Sequence, residues 1–410
     1  MFTRVKRTYN TIAIICLNLV ILFIVVEAGS ALIIYAYDAY ESNKQVEKPY
    51  KYDARENLTY YQQQEWGLEH WKELYESVNL IYQPYVGWRK YAYHGNLINI
   101  DESGVRITPN YWQDNEPLLS TFCFGGSTMW GDGSPDWGTI PAYLAEITNA
   151  EHSQQSIEVV NYAGGGFISS QEVMQLIQQI KYGHIPDIVV FYDGVNDTGV
   201  AYNKSEADIP LIDSLLIEPE DGIRWVRGQP GQETESQGLR GTSSNLNSVR
   251  VIRAGLYKLF GYTVSAPKAV SDENLEIDIN KLSLEVVSIY LKNMEVVDAL
   301  SKKYGFDYYF FWQPSLYEES KPLTWEEQET RQGLVRASPP ESLEFRHTVY
   351  NLIKLEAKKR DHLYYMADVF NNTEEFMFID GVHIIPEGNR IIAERIANAI
   401  SDSITKRQSN

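Results

Sequence analysis

The chain has 410 residues and a formal net charge of −19, long enough for a sizeable core with additions and too acidic to suit a nucleic-acid partner, which needs clustered Lys and Arg. Its two cysteines, Cys16 in an apolar N-terminal run and Cys123 in a stretch that reads as a buried strand, are not expected to pair. Its seven histidines are scattered without ligand spacing, so neither a disulfide nor a structural metal is expected. The 29 Tyr and 9 Trp suit stacking on sugar rings and core packing alike, and composition leaves both open.

Residues 11–37 are almost wholly apolar, broken mainly by Asn18, Glu27 and Ser30, and about 20 such residues suffice to cross a bilayer core. Arg4, Lys6 and Arg7 precede this run and Asp38 and Glu41 follow it. The positive-inside rule therefore predicts a cytoplasmic N-terminus, with the rest of the chain outside. Gly29-Ser30-Ala31 offers a signal-peptidase site, but Leu32-Ile33-Ile34-Tyr35 continues the apolar run beyond it, which favours an uncleaved anchor. Glu27 within the span points to a helix partner or an interfacial position. Residues 1–41 are thus read as tail and transmembrane anchor.

Residues 42–117 are expected to form a polar stalk, to about residue 65, and then a small strand-rich prelude. The prelude's short apolar runs around Tyr85-Val86-Gly87-Trp88, Leu97-Ile98-Asn99-Ile100 and Gly104-Val105-Arg106-Ile107 are punctuated by Gly, Pro, Asn and Asp.

From residue 118 apolar runs alternate with helical periods. Strands are predicted at 119–124, 157–160, 188–192, 306–312 and 363–366. Helices are predicted at 141–147, around Val173, Leu176, Ile177 and Ile180, at 282–303 and 341–360, and from Pro386 onward with Ile392, Ile396 and Ile400 facing inward. This alternation predicts an α/β domain over 118–405, a parallel sheet covered on both faces. Residues 199–281, with Gly228-Gln229-Pro230-Gly231, break the rhythm and read as an insertion, a lid or a tolerated surface excursion.

Four signals fall at strand ends: Gly125-Gly126-Ser127, Asn161 through Gly164-Gly165-Gly166, Gly194-Val195-Asn196-Asp197, and Asp380-Gly381-Val382-His383. Ligands of open parallel sheets bind outside the carboxyl ends of the strands, so all four can meet in one crevice. There His383 would take the proton of Ser127, Asp380 would hold the other imidazole N–H, and the N–H groups of Ser127 and Gly166 with the Asn196 amide would surround an oxyanion. Each signal alone is also an ordinary turn or surface residue; their shared order and placement carry the reading.

With these residues the sequence resembles the SGNH (GDSL-like) hydrolases. Gly125-Gly126-Ser127 with Gly131 stands where that family has G-D-S and a following glycine; Gly166, Asn196 and the Asp380-x-x-His383 pair match its later blocks. The likeness covers residues 118–402 and implies a flavodoxin-like doubly wound parallel sheet, a Ser-His-Asp mechanism and no cofactor. Gly126 departs from the family's usual aspartate and is similar to membrane-anchored G-G-S-T variants associated with bacterial surface polysaccharides.

The leading expectation is a serine esterase acting on an acyl ester, with an O-acylated extracytoplasmic carbohydrate as substrate and the membrane engaged through the N-terminal helix. An O-acetyltransferase using the same acyl-enzyme, and a non-catalytic glycan-binding or scaffold protein, are the alternatives.

Overall fold

A computed structural model of the chain describes residues 2–45, 53–109, 111, 118–151, 156–210, 278–318 and 320–408. Most of the expected insertion 199–281 and residues 46–52 of the expected stalk lie outside the described residues. The chain divides into two compact units, Met1–Lys51 with Val226–Val270, and Tyr52–Trp225 with Ser271–Asn410.

In the first unit, helix α1 (Phe2–Gln45) contains the stretch Ala13–Ile33, whose 21 residues have a mean hydropathy of 2.4. That is long and apolar enough to cross a bilayer.

The second unit begins with a 3-10 turn at Ala54–Asn57, then α2 (Thr59–Gln62) and α3 (Gly67–Glu76), followed by two small antiparallel ladders. These are β1 (Leu80–Gln83) with β2 (Gly87–Lys90), and β3 (Tyr93–His94) with β4 (Asn99–Ile100). The strand-rich prelude is present, but residues 53–65 are not a stalk. They are folded into this unit, where Tyr61 is buried and its hydroxyl donates to the Gly133 carbonyl at 2.6 Å. A bridge from Arg106 to Asn161 links the prelude to the main sheet.

That sheet contains β5 (Leu118–Gly125), β6 (Ser156–Asn161), β7 (Ile188–Asp193), β8 (Asp307–Trp312) and β9 (Leu363–Tyr365), all parallel, in the order β6-β5-β7-β8-β9. This is the flavodoxin-like order 2-1-3-4-5, whose crossover direction reverses at the first strand. β7 is buried at all six positions, as a strand covered on both faces must be. Alternate side chains build two cores. Phe122, Phe124, Val189, Phe191, Phe310 and Trp312 face α6 (Ser169–Lys181), α8 (Ile279–Tyr304) and α10 (Pro340–Ala357), which bring Val173, Leu176, Tyr290 and Phe345. Phe124, Phe191 and Phe310 stack across three neighbouring strands, with ring centroids 5.2 and 4.3 Å apart. The opposite face is covered by α5 (Ile140–Glu151) and α11 (Pro386–Gln408), where Ile392, Ile396 and Ile400 are fully buried. There the hydroxyl of Tyr309 reaches that of Ser403 at 2.6 Å.

Two short helices follow strand ends, α4 (Ser127–Trp130) after β5 and α7 (Val195–Lys204) after β7, and α9 (Trp325–Ala337) lies between β8 and α10. Helix α9 buries only Glu327. It has no apolar stripe to betray it, yet Thr324 and Glu327 close a reciprocal cap at its start.

Candidate active site

Register places the loops. Gly125 of β5 pairs with Tyr192 of β7, so the turns that follow these neighbouring strands, carrying Ser127 and Asn196, leave the sheet side by side. The Gly164-Gly165-Gly166 loop leaves β6 on the other side of β5, and the Gly164 N–H donates to the Gly125 carbonyl at 3.0 Å. The fourth segment arrives from the far side: Phe378 bridges Ile384 across a tight loop, and Asp380 and His383 stand on its tip.

Ser127, His383 and Asp380 meet. His383 Nε2 lies 2.7 Å from Ser127 Oγ, and His383 Nδ1 lies 2.7 Å from Asp380 Oδ2. Asp380 Oδ1 accepts the backbone N–H groups of Val382 and His383, both at 2.8 Å, which fixes the carboxylate on its own loop. Burial alone would raise the Asp380 pKa, but the neighbouring His383 and Arg55 and these hydrogen bonds hold it well below the usual carboxylate range. Burial works against the imidazolium of His383, yet the carboxylates of Asp380 and Asp132 outweigh it and raise the ring above its ordinary value.

Asn196 and Gly166 come to the same place. Asn196 Nδ2 donates to the Phe167 carbonyl at 2.8 Å, which fixes the amide, and its second hydrogen has no acceptor among the described residues. Gly166 has φ +74, a left-handed backbone that favours glycine. A Cβ built on Gly126 would fall 2.3 Å from Asn196 Nδ2. A side chain at 126 would therefore force the Asn196 amide to shift. Next to Asn196, Asp197 accepts the Ser169 N–H at 3.1 Å and its hydroxyl at 2.6 Å, tying α7 to the start of α6.

No family model and no curated protein matches the chain. Solved structures do. An acetyl xylan esterase is 14% identical over 69% of this chain and 100% of its own, with a TM-score of 0.34. A lipase from a goat rumen metagenome is 13% identical over 68% and 97%, with a TM-score of 0.36. A member of the lipolytic G-D-S-L family from Veillonella parvula is 12% identical over 69% and 98%, with a TM-score of 0.34.

The site also contains groups that motif reading passed over, all from or facing the prelude. Arg55 touches Asp380, His383, Asp53 and Asp132. Arg89, buried without a carboxylate partner among the described residues, donates to the carbonyls of Tyr162 at 2.6 Å and Ala163 at 3.4 Å; burial lowers its pKa to about 10. Arg106 donates to the carbonyls of Gly131 at 2.8 Å and Ser134 at 2.7 Å and pairs with Asp136 at 2.8 Å. The only sequence signal was three arginines in a segment otherwise lacking motif, too little to place them.

No group of three or more His, Cys, Asp or Glu that could hold a metal ion occurs among the described residues.

Proposed function

We propose that this chain is a membrane-anchored ester hydrolase of the SGNH kind, with Ser127 as nucleophile, His383 as general base and Asp380 as the group that orients it. The observation that carries the reading is the continuous relay Ser127–His383–Asp380, with both links at 2.7 Å at the carboxyl end of a parallel sheet. Ser127 Oγ attacks the acyl carbon while its proton passes to His383 Nε2. The oxyanion that forms is met by the N–H groups of Ser127 and Gly166 and the uncommitted hydrogen of Asn196. Collapse expels the alcohol, which takes the proton from His383, and leaves acyl-Ser127; water, activated by the same imidazole, then releases the acid.

The substrate proposed is an O-acylated carbohydrate outside the cytoplasm. Supporting it are the apolar stretch Ala13–Ile33 with Arg4, Lys6 and Arg7 before it, and the esterases on acetylated xylan among the similar structures. Transfer of the acyl group to a sugar hydroxyl needs the same acyl-enzyme and only a different acceptor in the second step.

The test is intact-protein mass spectrometry after incubation with p-nitrophenyl acetate. An acetyl increment that maps to Ser127 and is absent from Ser127→Ala is expected; a folded wild-type protein that turns over no ester and carries no increment would overturn the hydrolase reading.

A further inference from the structure

Arg55 sits two residues into the second unit's first turn, far in sequence from every motif, yet its guanidinium reaches the histidine–carboxylate pair. Nη1 donates to Asp380 Oδ2 at 3.0 Å, the same oxygen that accepts His383 Nδ1–H, and lies 3.3 Å from His383 Nδ1 itself. The rest of the fork is fixed. Nε and Nη2 hold the two oxygens of Asp53 at 3.0 and 2.8 Å, Nη2 lies 3.3 Å from Asp132 Oδ1, and the guanidinium carbon stands 4.8 Å above the ring of fully buried Trp71. Such a planar, multiply bonded cation is pre-organised, which a lysine ammonium is not.

We infer that Arg55 is a positioning residue for the proposed hydrolysis: it fixes the Asp380 Oδ2 toward His383 and places a permanent cation beside the imidazole, so that the turn ahead of α2 completes the active site. The inference rests on the hydrolase reading above.

Two effects follow, and they are separable. Geometrically, Oδ1 stays held by the Val382 and His383 N–H groups, but Oδ2 without Arg55 keeps one donor instead of two, so the oxygen that faces the imidazole is less firmly placed and His383 spends less time aligned on Ser127. Electrostatically, His383 is faced by Asp380 on its own loop, by Asp132 after α4 and by Arg55. Asp132 is in turn within the field of Lys90 at the end of β2, and the neutral Tyr61 and His70 line the same side. Arg55 is the cation that opposes the two carboxylates at the ring. Removing it leaves both carboxylates in place and makes the imidazolium easier to form.

The test uses the full chain in detergent, with p-nitrophenyl acetate as substrate, and compares wild type, Arg55→Gln and Arg55→Lys. For Arg55→Gln the expected result is a kcat lower by about 10- to 100-fold at unchanged KM, with the acid limb of the rate profile displaced upward by about one pH unit. Arg55→Lys keeps a charge without the fork, so it should return the limb toward its wild-type position while kcat stays reduced. Folded Arg55→Gln protein with wild-type kcat and an unmoved limb would overturn the inference. So would a loss of activity that tracks a fall in melting temperature with the limb unmoved. If the wild type itself turns over no ester, the hydrolase reading fails. The ring titration of His383, followed by NMR of histidine-labelled protein and assigned against His383→Ala, then decides Arg55 by itself: an upward displacement in Arg55→Gln supports it and no displacement sinks it.

Discussion

At the scale of single residues, His383 is the group on which opposing effects meet. Burial disfavours its charged form, Asp380 and Asp132 favour it, and the carboxylates prevail. Because the base must be neutral to accept the Ser127 proton, the activity of the wild type should rise with pH along a limb centred above the ordinary imidazole value, about 6.5. Stability runs the other way at this residue. A raised folded-state pKa contributes stability that is complete below the unfolded value and is lost as pH climbs through the folded one. Asp380, held low, contributes stability above the ordinary carboxylate value that is lost as pH falls through its depressed one. Asp380→Asn should keep the fold and lower kcat by roughly 10³- to 10⁴-fold, since an amide can present its N–H to Nδ1 and leave the imidazole in the wrong tautomer. A rate profile of both proteins beside circular dichroism checks this, and near-normal turnover in folded Asp380→Asn would remove the residue from its assigned role.

At the scale of elements, three of the four strand-end loops are held by a buried charged side chain from elsewhere in the chain. Arg89 on β2 holds the carbonyls that precede the glycine loop, and Arg106 holds the carbonyls that end α4. Glu327 on α9 pairs with buried Lys321 at 2.6 Å and accepts the N–H groups of Met377 at 2.9 Å and Phe378 at 3.1 Å, just before Asp380. A guanidinium is suited to this task because its several donors reach carbonyls in different turns at once. Truncating such a group removes several hydrogen bonds at once and leaves any partner without a second donor unsatisfied. Arg106→Met should therefore destabilise the protein by about 3–5 kcal/mol even though the apolar volume is kept, chiefly by removing the cation paired with the Asp136 carboxylate and the donor to the Ser134 carbonyl, while Asn99, Asn161 and the Ser134 N–H still serve Asp136 and the Trp130 and Gly131 carbonyls. Chemical denaturation of the variant measures it; a change below 1 kcal/mol would mean that water replaces the guanidinium at little cost.

At the scale of the molecule, the prelude and the sheet belong to one compact unit. The full chain should sediment with membranes, whereas a chain beginning at Lys44 should be soluble, folded and acylated at Ser127. A chain beginning at Val78, which lacks Arg55, Tyr61 and Trp71, should lose acylation. Fractionation and mass spectrometry of the three proteins check this. Recovery of a soluble mature chain beginning at Leu32 would instead identify the apolar run as a cleaved signal.

The sequence by itself determined the apolar helix, the strand–helix alternation and the four strand-end signals. These are local properties: an apolar run of fixed length, a period of two or 3.6, a glycine where the backbone turns. It also supplied the candidate residues Ser127, Gly166, Asn196, Asp380 and His383, because parallel strands carry their loops to one edge whatever the details of packing. Helix α9 carries no such signal because a helix that buries one glutamate has no apolar period, and the turn at Ala54–Asn57 reads as stalk because polar residues around an ion pair look like solvent-exposed ones. Apart from Asp53, the partners of Arg55, Arg89 and Arg106 are set by contacts across 24 to 328 residues of chain, and no periodicity encodes them. Only the tertiary structure decided that Gly126 makes room for the Asn196 amide, and that a cation from the first turn stands beside the base. Both depend on how closely separate elements approach, a distance fixed by packing.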